Sequence, residues 1–295
     1  MRYRTALLAC LLSLFLTRIA YGTVLFSSNY GTLISAAAAC TNHTLLITGS
    51  LPVGGTTTVP AGCELNFDQT GQLIGAGPVT INGAISSSSH RIFNLRSGAI
   101  TLSALSATAA DVRWWGAACD GTDDSALVTA AVASLPSTGG NLRLCEGMKF
   151  GSITITKPVW VEVPMGTITI SDTITLSNHS GGGWWGHGKI GSTLLWGGGT
   201  SHYMFHTQDW RDGYMGHLRL RSTAAGGDLR VALAHESVTG GITPGKRYFE
   251  HLQIDGTSGY LQKAVMYFAA QNSDCTASET PYVCCTGSGT GTCTG

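Results

Sequence analysis

The sequence predicts an all-β chain carrying one short α-helix. Short β-branched or alternating runs recur between turn residues along most of its 295 residues, and 40 glycines with abundant Ser and Thr favour strands and turns over helix bundles. One stretch, Arg113 to Gly147, differs from this background because it combines a capping residue, an apolar stripe of helical spacing and a clear stop.

In chain order the strand signals are TLLITG from Thr44, CELNF from Cys63, PVTINGAI from Pro78, RIFNL from Arg91 and AITLSAL from Ala99. They continue with SITIT from Ser152, VWVEV from Val159 and TITISDTITL from Thr167. Between the two groups lies the helix. Asp123 suits its N-cap, and Asp124 behind it favours the positive end of the helix dipole. Leu127, Val128, Ala131, Val132 and Leu135 form one stripe, and Pro136 with Gly139 and Gly140 ends it. A helix over Asp123 to Leu135, about three turns, follows.

The clearest internal echo pairs YMGHLRLRS from Tyr214 with YFEHLQIDG from Tyr248. Its alternation sends Leu218, Leu220, Leu252 and Ile254 inward and turns His217, Arg219 and Arg221 outward beside His251, Gln253 and Asp255. The offset is long, so a loop around Gly226 to Gly245 is expected to leave this layer and return. An antiparallel sandwich would give the same short strands and glycine-rich turns, so periodicity alone leaves that architecture open.

The residues Trp115, Gly116, Ala117, Asp120, Gly121, Asp123 and Asp124 resemble the N-terminal signature of the pectate-lyase-like superfamily, the branch of rhamnogalacturonase-like and epimerase-like proteins and many phage tailspikes. The likeness extends to Gly77–Leu95, to Trp185–Trp196 and to Asp255. It implies a right-handed, single-stranded parallel β-helix, with the short helix near its N-terminal end. In that family the DG and DD acids are structural, and no chemistry is assigned to them. The expected division is a leader at 1–22, an N-terminal β-strand region at 23–110, the β-helix at 111–272 and a Cys/Gly/Thr-rich tail at 273–295. The tail lacks a period and reads as a disulfide-held loop or an incomplete end.

Arg2 and Arg4, the apolar run Ala6 to Leu16, and the small residues Ala20 and Gly22 read as a secretory signal. The run is too short for a membrane span, so a secreted, cell-surface or periplasmic protein is expected. Removing that segment takes away Cys10 and leaves eight of the nine cysteines, an even number for an oxidising compartment. Cys119 and Cys145 flank the helix, Cys40 and Cys63 lie about one β-helix turn apart, and Cys275, Cys284, Cys285 and Cys293 remain to pair among themselves or to hold a metal. Sequence does not fix the connectivity. Asn42 and Asn178 begin glycosylation acceptor triplets.

Seventeen basic residues balance seventeen acidic ones, and no basic stripe suggests a nucleic-acid partner. The expected partner is an extracellular polysaccharide, either bound or cut by hydrolysis or β-elimination; the rivals are a non-catalytic adhesin or tailspike-like rod, and a fragment lacking the active rungs. A homotrimer is common among the tailspikes the chain resembles. Asp209 and Asp212, with the outward row of Arg219, Arg221 and Asp255, are the catalytic candidates: paired carboxylates serve a glycosidase, and an Arg base a lyase. Only a lyase would call for Ca²⁺, so no cofactor is otherwise expected. Trp184, Trp185, Trp196 and Trp210, with His217 and His251, are the substrate-binding candidates, because aromatic faces suit sugar rings. Gly186-His187-Gly188 is similar to the GHG element of polygalacturonases, but lacks their preceding acidic motifs, so it reads as a structural turn.

Overall fold

A computed structural model describes residues 22–96, 98–103, 109–199, 202–222, 229–236, 247–256, 261–269 and 284–285. The leader (but for Gly22) and the tail (but for a strand at Cys284–Cys285) lie outside the described residues, as do Cys275 and Cys293.

Two sets of three sheets follow one another, and the described strand pairings are all parallel. In the first set, Val24–Phe26, Thr44–Ile47, Glu64–Phe67 and Ile85–Ser87 form one sheet. Ser50–Val53, Gln72–Gly75 and Phe93–Leu95 form another, and Thr57–Val59, Val79–Ile81 and Ile100–Leu102 the third. In the second set, sheet one holds Ala110–Asp111, Gly140–Arg143, Val159–Glu162, Gly183–Trp185, Gly213–Gly216 and Arg247–Glu250. Sheet two holds Lys149–Phe150, Gly166–Ile170, Ser192–Trp196, Arg219–Ser222 and Gln253–Gly256. Sheet three holds Ile153–Ile155, Ile174–Ser177, His202–Gln208, Leu229–Glu236, Leu261–Ala269 and Cys284–Cys285.

From Gly140 onward the chain visits the three sheets in fixed order and then returns to pair with itself one layer on. This pattern fits a parallel β-helix, and parallel pairing has no place in the antiparallel sandwich that the periodicity left open. Alternation explains the placement. In Val159–Glu162, Val159 and Val161 are buried while Trp160 and Glu162 face out, and Ile153–Ile155 and Thr44–Ile47 behave alike. Each inward aliphatic contributes about 1.5–3 kcal/mol by leaving water, and the inward residues of both sets join one continuous core.

The echo between Tyr214 and Tyr248 lies in register: Tyr214 pairs with Tyr248, Leu220 with Ile254, and Arg221 with Asp255. Leu218 and Leu220 are fully buried, and Leu252 and Ile254 are half-buried against the core. The segment expected to loop out between these layers instead contributes Leu229–Glu236 to sheet three, paired with His202–Gln208.

Two α-helices are present among the described residues where the sequence reading gave one. The additional helix, α1 (Leu33–Ala39), buries Leu33, Ala36 and Ala37, and its N-cap Thr32 accepts from the Ser35 amide. Its run of four alanines has no polar face to betray an amphipathic pattern. The expected helix, α2 (Ser125–Ser134), buries Val128, Ala131 and Val132. Asp124, not Asp123, is its N-cap residue, and the carboxylate of Asp124 turns back to accept from the amides of Ala118 and Cys119 at 3.0 and 3.2 Å. Asp123 accepts from the Ser125 amide instead. Lys157 donates to the carbonyls of Ala133 and Leu135 at the C-terminal end of α2, where free carbonyls need donors.

Disulfides join Cys40 to Cys63 and Cys119 to Cys145, as their placement around a coil turn and around the helix suggested. A 3₁₀ turn, Val112–Trp115, links the two sets: Trp114 and Trp115 pack on Phe93, and the Ile92 amide donates to the Trp114 carbonyl.

Candidate functional site

The outward face of sheet one in the second set carries two exposed aromatic side chains, Trp160 and Tyr248. Register stacks two columns of side chains along it. The first runs Asn141, Trp160, Gly183, Tyr214 and Tyr248, and the second runs Arg143, Glu162, Trp185, Gly216 and Glu250. Adjacent members stand about 4.8 Å apart along the stack. Trp160 is 40% and Tyr248 55% exposed, so both rings reach solvent. Gly183 separates Trp160 from Tyr214, and a Cβ there would meet the Tyr214 carbonyl oxygen at 2.3 Å. With no side chain in between, the rings of Trp160 and Tyr214 reach each other at 6.1 Å between centroids.

Beside this column is a groove of about 690 Å³ lined by Ala109, Asn141, Arg143, Trp160, Glu162 and Trp185. Its polar floor is preorganised. The Glu162 carboxylate accepts from Arg143 at 3.0 Å, and its other oxygen lies 3.2 Å from His187 Nε2. The His187 ring sits against Trp185 at 5.3 Å, and its amide donates to Ser192 Oγ. Further along, the Tyr214 hydroxyl donates to Glu250 at 3.4 Å, and burial, then the Glu250 charge, raises the phenol above its ordinary pKa.

The residues singled out from the sequence divide between this face and elsewhere. Trp185 lines the groove. Trp184, Trp196 and Trp210 are buried and offer no face to a ligand: Trp184 packs between Phe150 and Phe205, while Trp196 and Trp210 donate their indole N–H groups to the carbonyls of Gly199 and Gly181. For Trp184 an inward strand position imposes this, since it pairs with Val161 and Met215 in the core. His217 and His251 do come together, their rings stacked at 4.8 Å.

The catalytic candidates lie on different elements. Asp209 is buried in the turn before sheet one, with a left-handed φ of 50°. Asp212, in the same turn, is exposed and accepts from Ser180 Oγ at 2.7 Å. Arg219, Arg221 and Asp255 lie on sheet two, with strand Gly213–Gly216 between the two groups. The grouping of three metal-competent side chains found among the described residues is His217, Glu250 and His251, and it does not include Asp209 or Asp212. The acids of the sequence signature serve the backbone: Asp120 accepts from the Thr122 amide, and Asp123 and Asp124 act as described above.

Trp160, Tyr214, Tyr248, Arg143 and Glu162 were not singled out from the sequence. The alternation of Val159-Trp-Val-Glu162 carried the signal, since burying both valines turns Trp160 and Glu162 outward. The acceptor asparagines Asn42 and Asn178 are exposed at turns with positive φ. Among the described residues no helix is long and apolar enough to cross a membrane. Comparison of the chain with protein-family models, with curated proteins and with solved structures returns no match.

Proposed function

We propose that this chain is a right-handed parallel β-helix of the pectate-lyase-like kind that binds an extracellular polysaccharide along the outward face of sheet one. The observation that carries the reading is the outward column of exposed Trp160, half-buried Tyr214 and exposed Tyr248 beside the groove lined by Arg143 and Glu162. Aromatic faces supply sequence-tolerant contact area, the ion-paired floor supplies oriented polar groups, and the even layer spacing suits a chain-like ligand. A right hand is the one that parallel crossover connections favour. Two disulfides in the described region fit an exported protein.

Binding without cleavage is the form the geometry favours. Glu162 and Glu250 occupy the same column three layers apart, about 14 Å at the usual strand spacing. A glycosidase needs its two carboxyl groups about 5–5.5 Å or 6.5–9.5 Å apart. Arg143, the Arg nearest the groove floor, already donates to Glu162 and is a poor base. The test is co-sedimentation with a panel of neutral and uronate-containing polysaccharides, alongside assays for new reducing ends and for the ultraviolet absorbance of unsaturated products. Retention of one polysaccharide without products is expected, with Trp160→Ala and Tyr248→Ala each weakening it about tenfold or more. Products released by the wild-type chain, or undiminished retention by both variants, would overturn the reading.

A further inference from the structure

We infer that His217, Glu250 and His251 form a binding site for a divalent transition-metal cation of the zinc type. Each offers one ligand atom, and these atoms all lie within 4.8 Å of one another at the edge where sheet one turns toward sheet two. This inference does not rest on the polysaccharide reading.

The convergence is built into the register. Gly216 pairs with Glu250, so the residues after them, His217 and His251, fall on top of each other and stack at 4.8 Å with an interplanar angle of 24°. Both adopt left-handed backbone, with φ of 55° and 48°, an uncommon conformation for a residue with a side chain. The repeated geometry aims two imidazoles the same way from successive layers. Glu250 stands between its neighbours on both sides: Oε1 lies 3.4 Å from His251 Nδ1, and Oε2 accepts from the Tyr214 hydroxyl at 3.4 Å.

Two imidazoles and one carboxylate suit zinc and its first-row neighbours, whereas Ca²⁺ and Mg²⁺ demand six or more oxygens. Tetrahedral ligands at about 2.0–2.2 Å from a metal stand roughly 3.4 Å from each other. Closing the cluster to that size takes side-chain shifts on the order of 1 Å and rotation of the stacked rings, so that their in-plane nitrogen lone pairs converge; both motions are open to Glu250 and His251, which are exposed, and to His217, which is half-buried. Three protein ligands leave a fourth position open for water or for an oxygen of a bound molecule. Tyr214 is then a positioning residue, holding the carboxylate through its second oxygen.

Isothermal titration of zinc chloride into the untagged chain tests this. One equivalent is expected to bind, and His217→Asn, His251→Asn and Glu250→Gln are each expected to weaken it by at least the tenfold that loss of an outer-shell partner alone produces. Asparagine is chosen because it tolerates left-handed backbone, and circular dichroism checks that the variants remain folded. Tyr214→Phe should weaken binding by about tenfold, and Co²⁺ loaded in place of zinc should show the intense visible bands of a four-coordinate site, lost in the His→Asn variants. Failure of the wild-type chain to saturate with zinc, or equal uptake by a folded variant carrying all three ligand substitutions, would overturn the inference.

Discussion

Replacing Trp184 by alanine separates a core tryptophan from a ligand-stacking one. Trp184 is 1% exposed and packs face to face on Phe150 at 6.4 Å and edge-on against Phe205 at 5.1 Å. Truncating a buried Trp costs about 3–5 kcal/mol through lost transfer energy and the cavity left behind. The two ring contacts, about 0.5–1.5 kcal/mol each, place this site toward the upper end. For a chain of this size each kcal/mol moves the midpoint about 2–4 °C, so a loss of about 5 kcal/mol lowers Tm by about 10–20 °C. Differential scanning calorimetry reads the shift, and polysaccharide retention at a temperature where the variant stays folded reads the other property. The expected pair is a large fall in Tm with retention preserved. A shift under about 2 °C together with lost retention would mean that the indole faces the ligand, and would refute the register that buries it.

Three further outcomes follow from the packing. Removing the Cys119–Cys145 bridge by double alanine substitution frees a loop spanning 26 residues, and is expected to cost about 3.5 kcal/mol in urea denaturation; a loss under about 1 kcal/mol would show that the loop is held by other contacts. Asp124→Ala strips the acceptor from the amides of Ala118 and Cys119 at a buried site and should cost about 1–3 kcal/mol, whereas Asp120→Ala, at an exposed turn, should cost little; equal effects would contradict the assignment. His179, its ring packed near Trp210, has its pKa lowered by burial, with the Ser177 carbonyl opposing weakly. The unfolded chain therefore binds the proton more readily, so stability is intact above the ordinary value near 6.5 and falls as pH drops through it toward the folded value. His179→Gln should flatten that part of the Tm-against-pH curve, and an unchanged slope would exclude His179 as its source.

Much of the architecture was legible because alternation is local. A run such as Val159–Glu162 announces its inward and outward faces without knowledge of its neighbours, and the tyrosine echo fixed one register pair directly. The spacing between paired strands was not legible, because it is not constant: Gly140 pairs with Val159, Trp160 with Gly183, Gly183 with Tyr214 and Tyr214 with Tyr248, so the offset grows from 19 to 34 residues. Turns between sheets lengthen at no cost to the core, and sequence self-comparison sees only the layers whose turns match. The tryptophans show the same limit at the site. Trp184 and Trp185 are adjacent and chemically alike, yet one lies in the core and the other lines the groove, and only strand phase decides which. The carboxylate candidates are distributed for a related reason: Asp209 and Asp212 sit in the turn before sheet one and Asp255 on a strand of sheet two, a placement set by connection lengths that no residue type records.

The most direct measurement is a crystal structure of the chain soaked with a fragment of whichever polysaccharide it retains. The sugar rings should lie along sheet one, with at least one stacked on Trp160 or Tyr248 and a hydroxyl or carboxyl group within hydrogen-bond reach of Arg143 or Glu162. Density for the fragment over Arg219, Arg221 and Asp255 on sheet two, with the Trp160 face bare, would contradict the proposed function.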